Sequence, residues 1–427
     1  MRLDRRTLAR TEDAAAVLAA ELRRLAPGGE SVAEAVDEIL TLVRWEGDDA
    51  VQRLTRRYDT HGAEPMPLRV EPAELTAALA ALDPAVRAGL ELAIENVRTV
   101  AEAGLDEDQE VALPQGQRVV LRELPVARAA VYVPGGRAPY PSTVVMGVVT
   151  AHAAGVKEIV VCAPPGADGD VHAAILAACA LAGADEVYRS GGAQAIGALA
   201  YGTETVEPVD VIVGPGSLYV QEAKRQVSHR VGIDGFAGPS DLLVVLGGDV
   251  GGDVELAALD LRAQAEHGTG SLVVAASPDA AVLDALAPAL ENAPEGAPAA
   301  LVRCEGIEAA LELAEAFAPE HLQLIGAEAE ALASRVTRAG CLFVGAGAAT
   351  AFGDYLAGSN HVLPTDGAAR FASGLSARTF RRRMAELRID AAAAAALAGP
   401  GAAIARAEGF ETHATSMEAR IRENGAR

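Results

Sequence analysis

Glu158-Ile159-Val160-Val161-Cys162, a long apolar run from Asp170 to Ala182, and Glu186-Val187-Tyr188 follow one another near the middle of the 427-residue chain. A short β-branched run, a helix-length apolar segment and a second β-rich run read as strand, helix and parallel strand. The alternation extends outward. Before it lie a strand at 130–133 and a helix at 142–154; after it come a helix at 193–201, a strand at 209–213 and a helix at 217–228. This pattern predicts a parallel sheet with helices on its faces.

The pattern then restarts. Strands are predicted at 242–246, 271–275, 300–304, 322–325 and 342–344, with helices at 253–267, 278–290, 307–317 and 327–339. Ahead of both units, residues 11–25, 31–57 and 72–103 carry helical periodicity, interrupted at Pro84, and helix returns from about Leu375. The fold class is therefore α/β, with two Rossmann-like parallel-sheet domains and smaller helical N- and C-terminal elements. Residues 1–128 join 238–372 as one α/β domain, 129–237 form the other, and 373–427 form a C-terminal helical segment. Gly235-Phe236-Ala237-Gly238-Pro239-Ser240 is the hinge that composition suggests.

Composition narrows the function. Thirty-six basic against 59 acidic side chains give a net charge of −23, which argues against a nucleic-acid partner. Arg381-Arg382-Arg383, the one tight basic run, reads as a solvated helix face. Half of the residues are hydrophobic, enough for a packed core. The four cysteines, Cys162, Cys179, Cys304 and Cys341, show no CxxC spacing, which excludes a local zinc knuckle or a disulfide framework. The N-terminus lacks the apolar core of a signal peptide. The alanine run 391–396 is far shorter than a membrane span. A cytoplasmic location with no membrane partner is the expectation.

Open α/β sheets bind ligands beyond the carboxyl ends of their strands. The loops Pro134-Gly135-Gly136, Gly191-Gly192-Ala193-Gln194, Gly214-Pro215-Gly216 and Gly345-Ala346-Gly347 are therefore candidates, each also explicable as a tight turn. Among polar groups, Gln264 and His267 share a helix face at i, i+3, which fits either two donors to one ion or a dipole-favoured helix-end histidine. Glu320-His321 places an acid beside a base, as an acid/base couple or as a surface ion pair. Asp354, His361 and His413 carry donor types suited to zinc, but their scatter along the chain does not assemble a site.

Ile233-Asp234-Gly235-Phe236-Ala237-Gly238-Pro239-Ser240, with Asp260-Leu261-Arg262-Ala263-Gln264-Ala265-Glu266-His267, resembles the characteristic segment of the histidinol dehydrogenase family. Further similar blocks follow in the family's order, among them Glu222-Ala223-Lys224-Arg225-Gln226, Pro319-Glu320-His321-Leu322, Gly353-Asp354-Tyr355 and Asn360-His361-Val362-Leu363-Pro364-Thr365. The resemblance implies an NAD-dependent enzyme with one zinc ion per subunit. It would oxidise L-histidinol to L-histidine through L-histidinaldehyde in two hydride transfers, as a homodimer whose active site is completed by the partner's C-terminal segment.

By the same resemblance, Gln264, His267, Asp354 and His413 are zinc ligands and Glu320 and His321 the catalytic pair. Ser240, Gln264, His267, His321, Asp354, His361, Glu408 and His413 bind substrate; Tyr132, Gln194 and Ser217 contact the cofactor. The residue chemistry agrees: a neutral imidazole suits removal of an alcohol proton, and a neighbouring carboxylate suits activation of water. The chain departs from the family at Asp241, where Glu is usual, at Ser217, where Asn is usual, and in a longer glycine-rich stretch at 247–252. Rival readings are a related zinc and NAD dehydrogenase acting on another polar alcohol such as a sulfonated diol, a non-catalytic binding protein, and a zinc hydrolase.

Overall fold

A computed structural model of the chain describes residues 3–11, 13–26, 31–135, 138–236, 238–268, 270–291 and 296–422. The chain divides into two compact units, residues 1–103 with 127–380, and residues 104–126 with 381–427.

The first unit holds two parallel sheets. The five-stranded sheet runs in the order Glu186–Arg189, Glu158–Ala163, Arg128–Tyr132, Val211–Val213, Gly232–Ile233. The six-stranded sheet runs Leu3–Leu8, Ala299–Cys304, Ser271–Ser277, Ser240–Leu246, His321–Ile325, Cys341–Val344. Setting Leu3–Leu8 aside, both sheets place their first strand in the middle and reverse strand order there, the Rossmann-like arrangement expected. Central strands such as Leu242 to Leu246 are buried on both faces, which explains their unbroken aliphatic runs.

The helical N-terminal region is shared between the sheets. Leu18 and Leu22 of Ala14–Arg23 pack with Leu313 and Phe317 of Ile307–Phe317 over the six-stranded sheet. Val36, Ile39, Leu40 and Val43 of Ala33–Tyr58 pack instead against Ile196 and Leu199, over the five-stranded sheet. The interruption at Pro84 separates the helices Pro72–Ala81 and Pro84–Ala103.

Four details differ from the sequence reading. Leu3–Leu8 is a strand at a sheet edge; its charged centre gives it no alternating pattern. The helix expected at 142–154 contains a π-helical turn at Val145–Val149, where Gly147 packs so closely on Val131 that a Cβ would stand 2.4 Å from it. The helix expected at 327–339 shrinks to Ala327–Glu330 and a 3-10 turn at Ala333–Arg335.

The fourth is a correction in the second unit. Arg381-Arg382-Arg383 does not lie on a helix: Arg381–Arg388 is a strand, paired antiparallel with Arg118–Pro125, which pairs in turn with Gln109–Ala112. Cross-strand charge pairing favours this. Arg383 meets the Glu123 carboxylate at 2.5 Å and Arg381 donates to the Glu123 carbonyl at 2.6 Å. Helices follow at Ala391–Ala407 and Glu411–Arg422, packed through Ala402, Ala405 and Ala414.

Candidate active site

The polar cluster of the six-stranded sheet sits at the amino ends of two adjacent strands, opposite to the loops that the strand-end rule singled out. Ser240 and Asp241 open one strand, and His321 opens its neighbour. The chain reaches His321 by a sharp turn: Ile307–Phe317 ends at Ala318, which is left-handed at φ 47°, and Pro319 prevents the helix from continuing. Gly340 lies beneath the turn, where a Cβ would stand 2.6 Å from the Glu320 carbonyl oxygen.

Glu320 and His321 are 6% and 4% exposed. Glu320 Oε2 accepts from Ser240 Oγ at 2.6 Å and from the Asp241 amide at 3.1 Å, while the Glu320 amide donates to Asp241 Oδ1 at 2.7 Å. His321 Nδ1 lies 3.2 Å from the Asp241 carbonyl and 3.7 Å from Glu320 Oε2, and its Nε2 lies 3.8 Å from Asp354 Oδ1. Burial lifts the Glu320 carboxyl well above the usual range. Burial alone would depress His321, but Glu320 and Asp354 outweigh it and raise the imidazole. Sequence adjacency thus becomes a buried acid/base couple, not a surface ion pair.

Gln264 extends the network. Its Nε2 donates to Ser240 Oγ at 2.7 Å and Ser271 Oγ at 3.0 Å, which turns Oε1 away from these bonds as the donor atom for a cation. One turn on, His267 Nδ1 lies 3.1 Å from the Gln264 carbonyl, so Nε2 is the nitrogen that a metal would take. Asp354, on Thr350–Tyr355, is lowered against the effect of its own burial by His321, His361 and His267. Amide oxygen, imidazole and carboxylate form a donor set that fits zinc. Among the described residues, no three His, Cys, Asp or Glu side chains are grouped to hold a metal by themselves, so the set needs the Gln264 amide and a further donor.

His361 enters the same cluster, with Nδ1 2.9 Å from the Asp354 carbonyl and Nε2 3.2 Å from Thr143 Oγ1. Loss of hydration holds its pKa below the ordinary histidine value. Glu408 and His413 belong to the second unit: Glu408 caps Ala391–Ala407, and His413 stacks on Phe410 with ring centroids 5.1 Å apart.

The three cofactor candidates lie at the carboxyl ends of the five-stranded sheet, beside its reversal point, where the strand-end rule does apply. The Tyr132 hydroxyl accepts from the Gly192 amide at 3.1 Å, and Gln194 Nε2 donates to Asp59 Oδ2 at 3.2 Å. Ser217 is exposed at the start of Leu218–Val227. Gly214, at φ 120°, lies so close to Tyr132 that a Cβ would stand 2.1 Å from its carbonyl oxygen. The buried Lys224 donates to the Gly214 carbonyl at 3.0 Å and pairs with Asp234, whose Oδ2 accepts from the Gly214 amide at 2.7 Å.

Sequence reasoning missed Arg23, Asp59 and Thr143. Arg23 donates to Asp241 Oδ2 at 3.1 Å, and Asp59 supports the Gly191–Gln194 turn. None carries a local motif; only the fold brings them to the site.

A family model described as histidinol dehydrogenase matches residues 23–421. The histidinol dehydrogenase of Parasynechococcus marenigrum (strain WH8102) is 44% identical over 398 residues, covering 90% of each chain. That of Gluconobacter oxydans (strain 621H) is 39% identical over 435 residues, covering 99% of this chain and all of its own. The crystal structure of histidinol dehydrogenase from Elizabethkingia anophelis superposes with a TM-score of 0.90 at 29% identity, over 99% of both chains. Among the described residues, no helix is long and apolar enough to cross a membrane. The match spans both sheets and every block around Glu320, and the chain belongs to the histidinol dehydrogenase family of oxidoreductases.

Proposed function

We propose that the protein oxidises L-histidinol to L-histidine in two NAD-dependent steps through L-histidinaldehyde, in the cytoplasm. The observation that carries this reading is the buried Glu320–His321 couple, bonded through Ser240 to Gln264 and flanked by Asp354, in a chain of this family. In the first step the alcohol loses a proton and a hydride to give the aldehyde. In the second, water adds to the aldehyde, and the hydrate loses a hydride and protons to give the carboxylate.

His321 takes the alcohol proton. Glu320, held by Ser240 and the Asp241 amide, orients the water and accepts its proton. NAD, when bound, accepts the hydride in each step, and Tyr132, Gln194 and Ser217 would contact it. Zinc, when bound by Gln264, His267, Asp354 and His413, orients the imidazole and amine of the substrate and offsets the Asp354 charge that otherwise favours protonated His321. Ser240 and His361 line the substrate site. The two sheets are the cores of two α/β domains, 238–372 and 129–237, with Ala14–Arg23 packed on the first and Ala33–Tyr58 on the second. The C-terminal segment, 373–427, supplies Glu408 and His413 to the site of a second subunit in a homodimer.

The zinc-loaded protein, incubated with histidinol and NAD, is expected to form two NADH per histidine and to lose activity with a chelator. No NADH from histidinol, or a preference for dihydroxypropanesulfonate, overturns the assignment. Mixing His413→Ala and His321→Ala homodimers under subunit exchange is expected to restore activity; exchange without recovery rejects the shared site.

A further inference from the structure

Arg23, at the end of Ala14–Arg23, reaches the turn that delivers Glu320. Its Nη1 donates to Asp241 Oδ2 at 3.1 Å and lies 3.5 Å from Asp366 Oδ1. Its Nη2 donates to the carbonyls of Phe317 and Ala318, and its guanidinium sits 4.1 Å over the Phe317 ring. The bonded carbonyls flank the one strained position of the segment, Ala318 at φ 47°. The Asp241 side chain, 1% exposed, divides its two oxygens between Arg23 and the Glu320 amide, while the Asp241 amide donates to the Glu320 carboxylate. One guanidinium therefore clamps both the turn and the strand that grip Glu320, and it is the cation bonded to the buried Asp241 carboxylate.

We propose that Arg23 is a positioning residue for the aldehyde-oxidising half of the reaction, acting through Asp241 to hold the Glu320 carboxylate against the attacking water. This rests on the histidinol-oxidising reading above. The effect falls on Glu320 more than on His321 because the Asp241 side chain bonds the Glu320 amide, whereas His321 Nδ1 meets only the Asp241 main-chain carbonyl. Without Arg23, the buried Asp241 carboxylate beside Glu320 loses its bonded cation, and the turn at Ala318 loses its two carbonyl anchors.

The test compares Arg23→Met, Arg23→Lys and Asp241→Asn with the unaltered protein, full length and zinc-loaded. Thermal melting is measured together with single-turnover release of the first and second NADH from histidinol. Arg23→Met and Asp241→Asn are expected to slow the second, aldehyde step about 10- to 100-fold and the first step less than about threefold, so that one NADH per site appears as a burst. KM for histidinol is expected to stay near its parent value, and Arg23→Lys to recover part of the lost rate. Equal slowing of both steps, or no slowing in folded variants, overturns the proposal. If Arg23→Met does not fold, Asp241→Asn and Arg23→Lys decide by the same criteria. An unaltered protein that makes no NADH from histidinol overturns the functional reading, whereas normal turnover with unaffected variants overturns only the positioning role.

Discussion

Thr143 and His361 meet at 3.2 Å, hydroxyl Oγ1 to ring Nε2, although 218 positions separate them. The other ring nitrogen faces the Asp354 carbonyl at 2.9 Å, and a carbonyl only accepts. Nδ1 therefore carries the proton, and because burial disfavours the charged ring, Nε2 is left to accept from the threonine hydroxyl. Thr143→Val keeps the shape and removes the donor, and is expected to cost about 1–3 kcal/mol in urea denaturation. Because the His361 pKa is depressed in the fold, its share of stability is present above the ordinary value of 6.5 and is lost as pH falls through the folded value. A His361→Asn protein should lose less stability on acidification than the parent.

Asp59 follows the opposite sign. Burial raises its carboxyl to about 6 from 3.8, against the bonds from Gly191 and Gln194. The fold thus favours the neutral form, and stability falls as pH rises between those values. Asp59→Asn, able to keep one acceptor for the Gly191 amide, is expected to match the parent near about pH 4 and to exceed it by on the order of 2 kcal/mol above about pH 7. Denaturation midpoints at the two pH values check this. A constant gap would mean that Asp59 does not titrate in that range.

His321 and His267 should separate by metal content. His321→Ala is expected to lower turnover by about 10²- to 10⁴-fold with zinc retained. His267→Ala is expected to lose both zinc and activity. Metal analysis beside steady-state kinetics distinguishes them; zinc loss in His321→Ala would make His321 a ligand.

Lys224→Met is expected to destabilise the protein by about 3–5 kcal/mol, because the Asp234 carboxylate is left buried without its cation. The Gly214-Pro215-Gly216-Ser217 turn loses an anchor as well. The same variant should therefore raise KM for NAD and leave KM for histidinol unchanged, and pairing it with Asp234→Asn should recover stability.

The α/β alternation was legible because buried parallel strands are continuous aliphatic runs bounded by turn residues. Ile307–Phe317 emerged with its expected bounds and Glu158–Ala163 within one residue. Leu3–Leu8 and Arg381–Arg388 escaped because edge strands rich in arginine draw their stability from pairing and charge across the ladder, which local periodicity does not record. Motif blocks drew attention to Glu320, His321, Gln264 and Asp354, but the strand-end rule pointed to the wrong end of the six-stranded sheet. Arg23 and Asp59 act on loops far along the chain, so only tertiary packing reveals them.

Leu3–Leu8, pairing in register with Ala299–Cys304, also bears on how the molecule is made. The ribosome releases this edge segment long before its partner exists, and the five-stranded sheet is complete in sequence before the central strand Ser240–Leu246 has been synthesised. Closure of the larger sheet is thus a late, long-range event in translation, and such pairings form slowly. Arg5 and Arg6 in the waiting strand keep it charged, a feature that discourages premature association with other nascent chains.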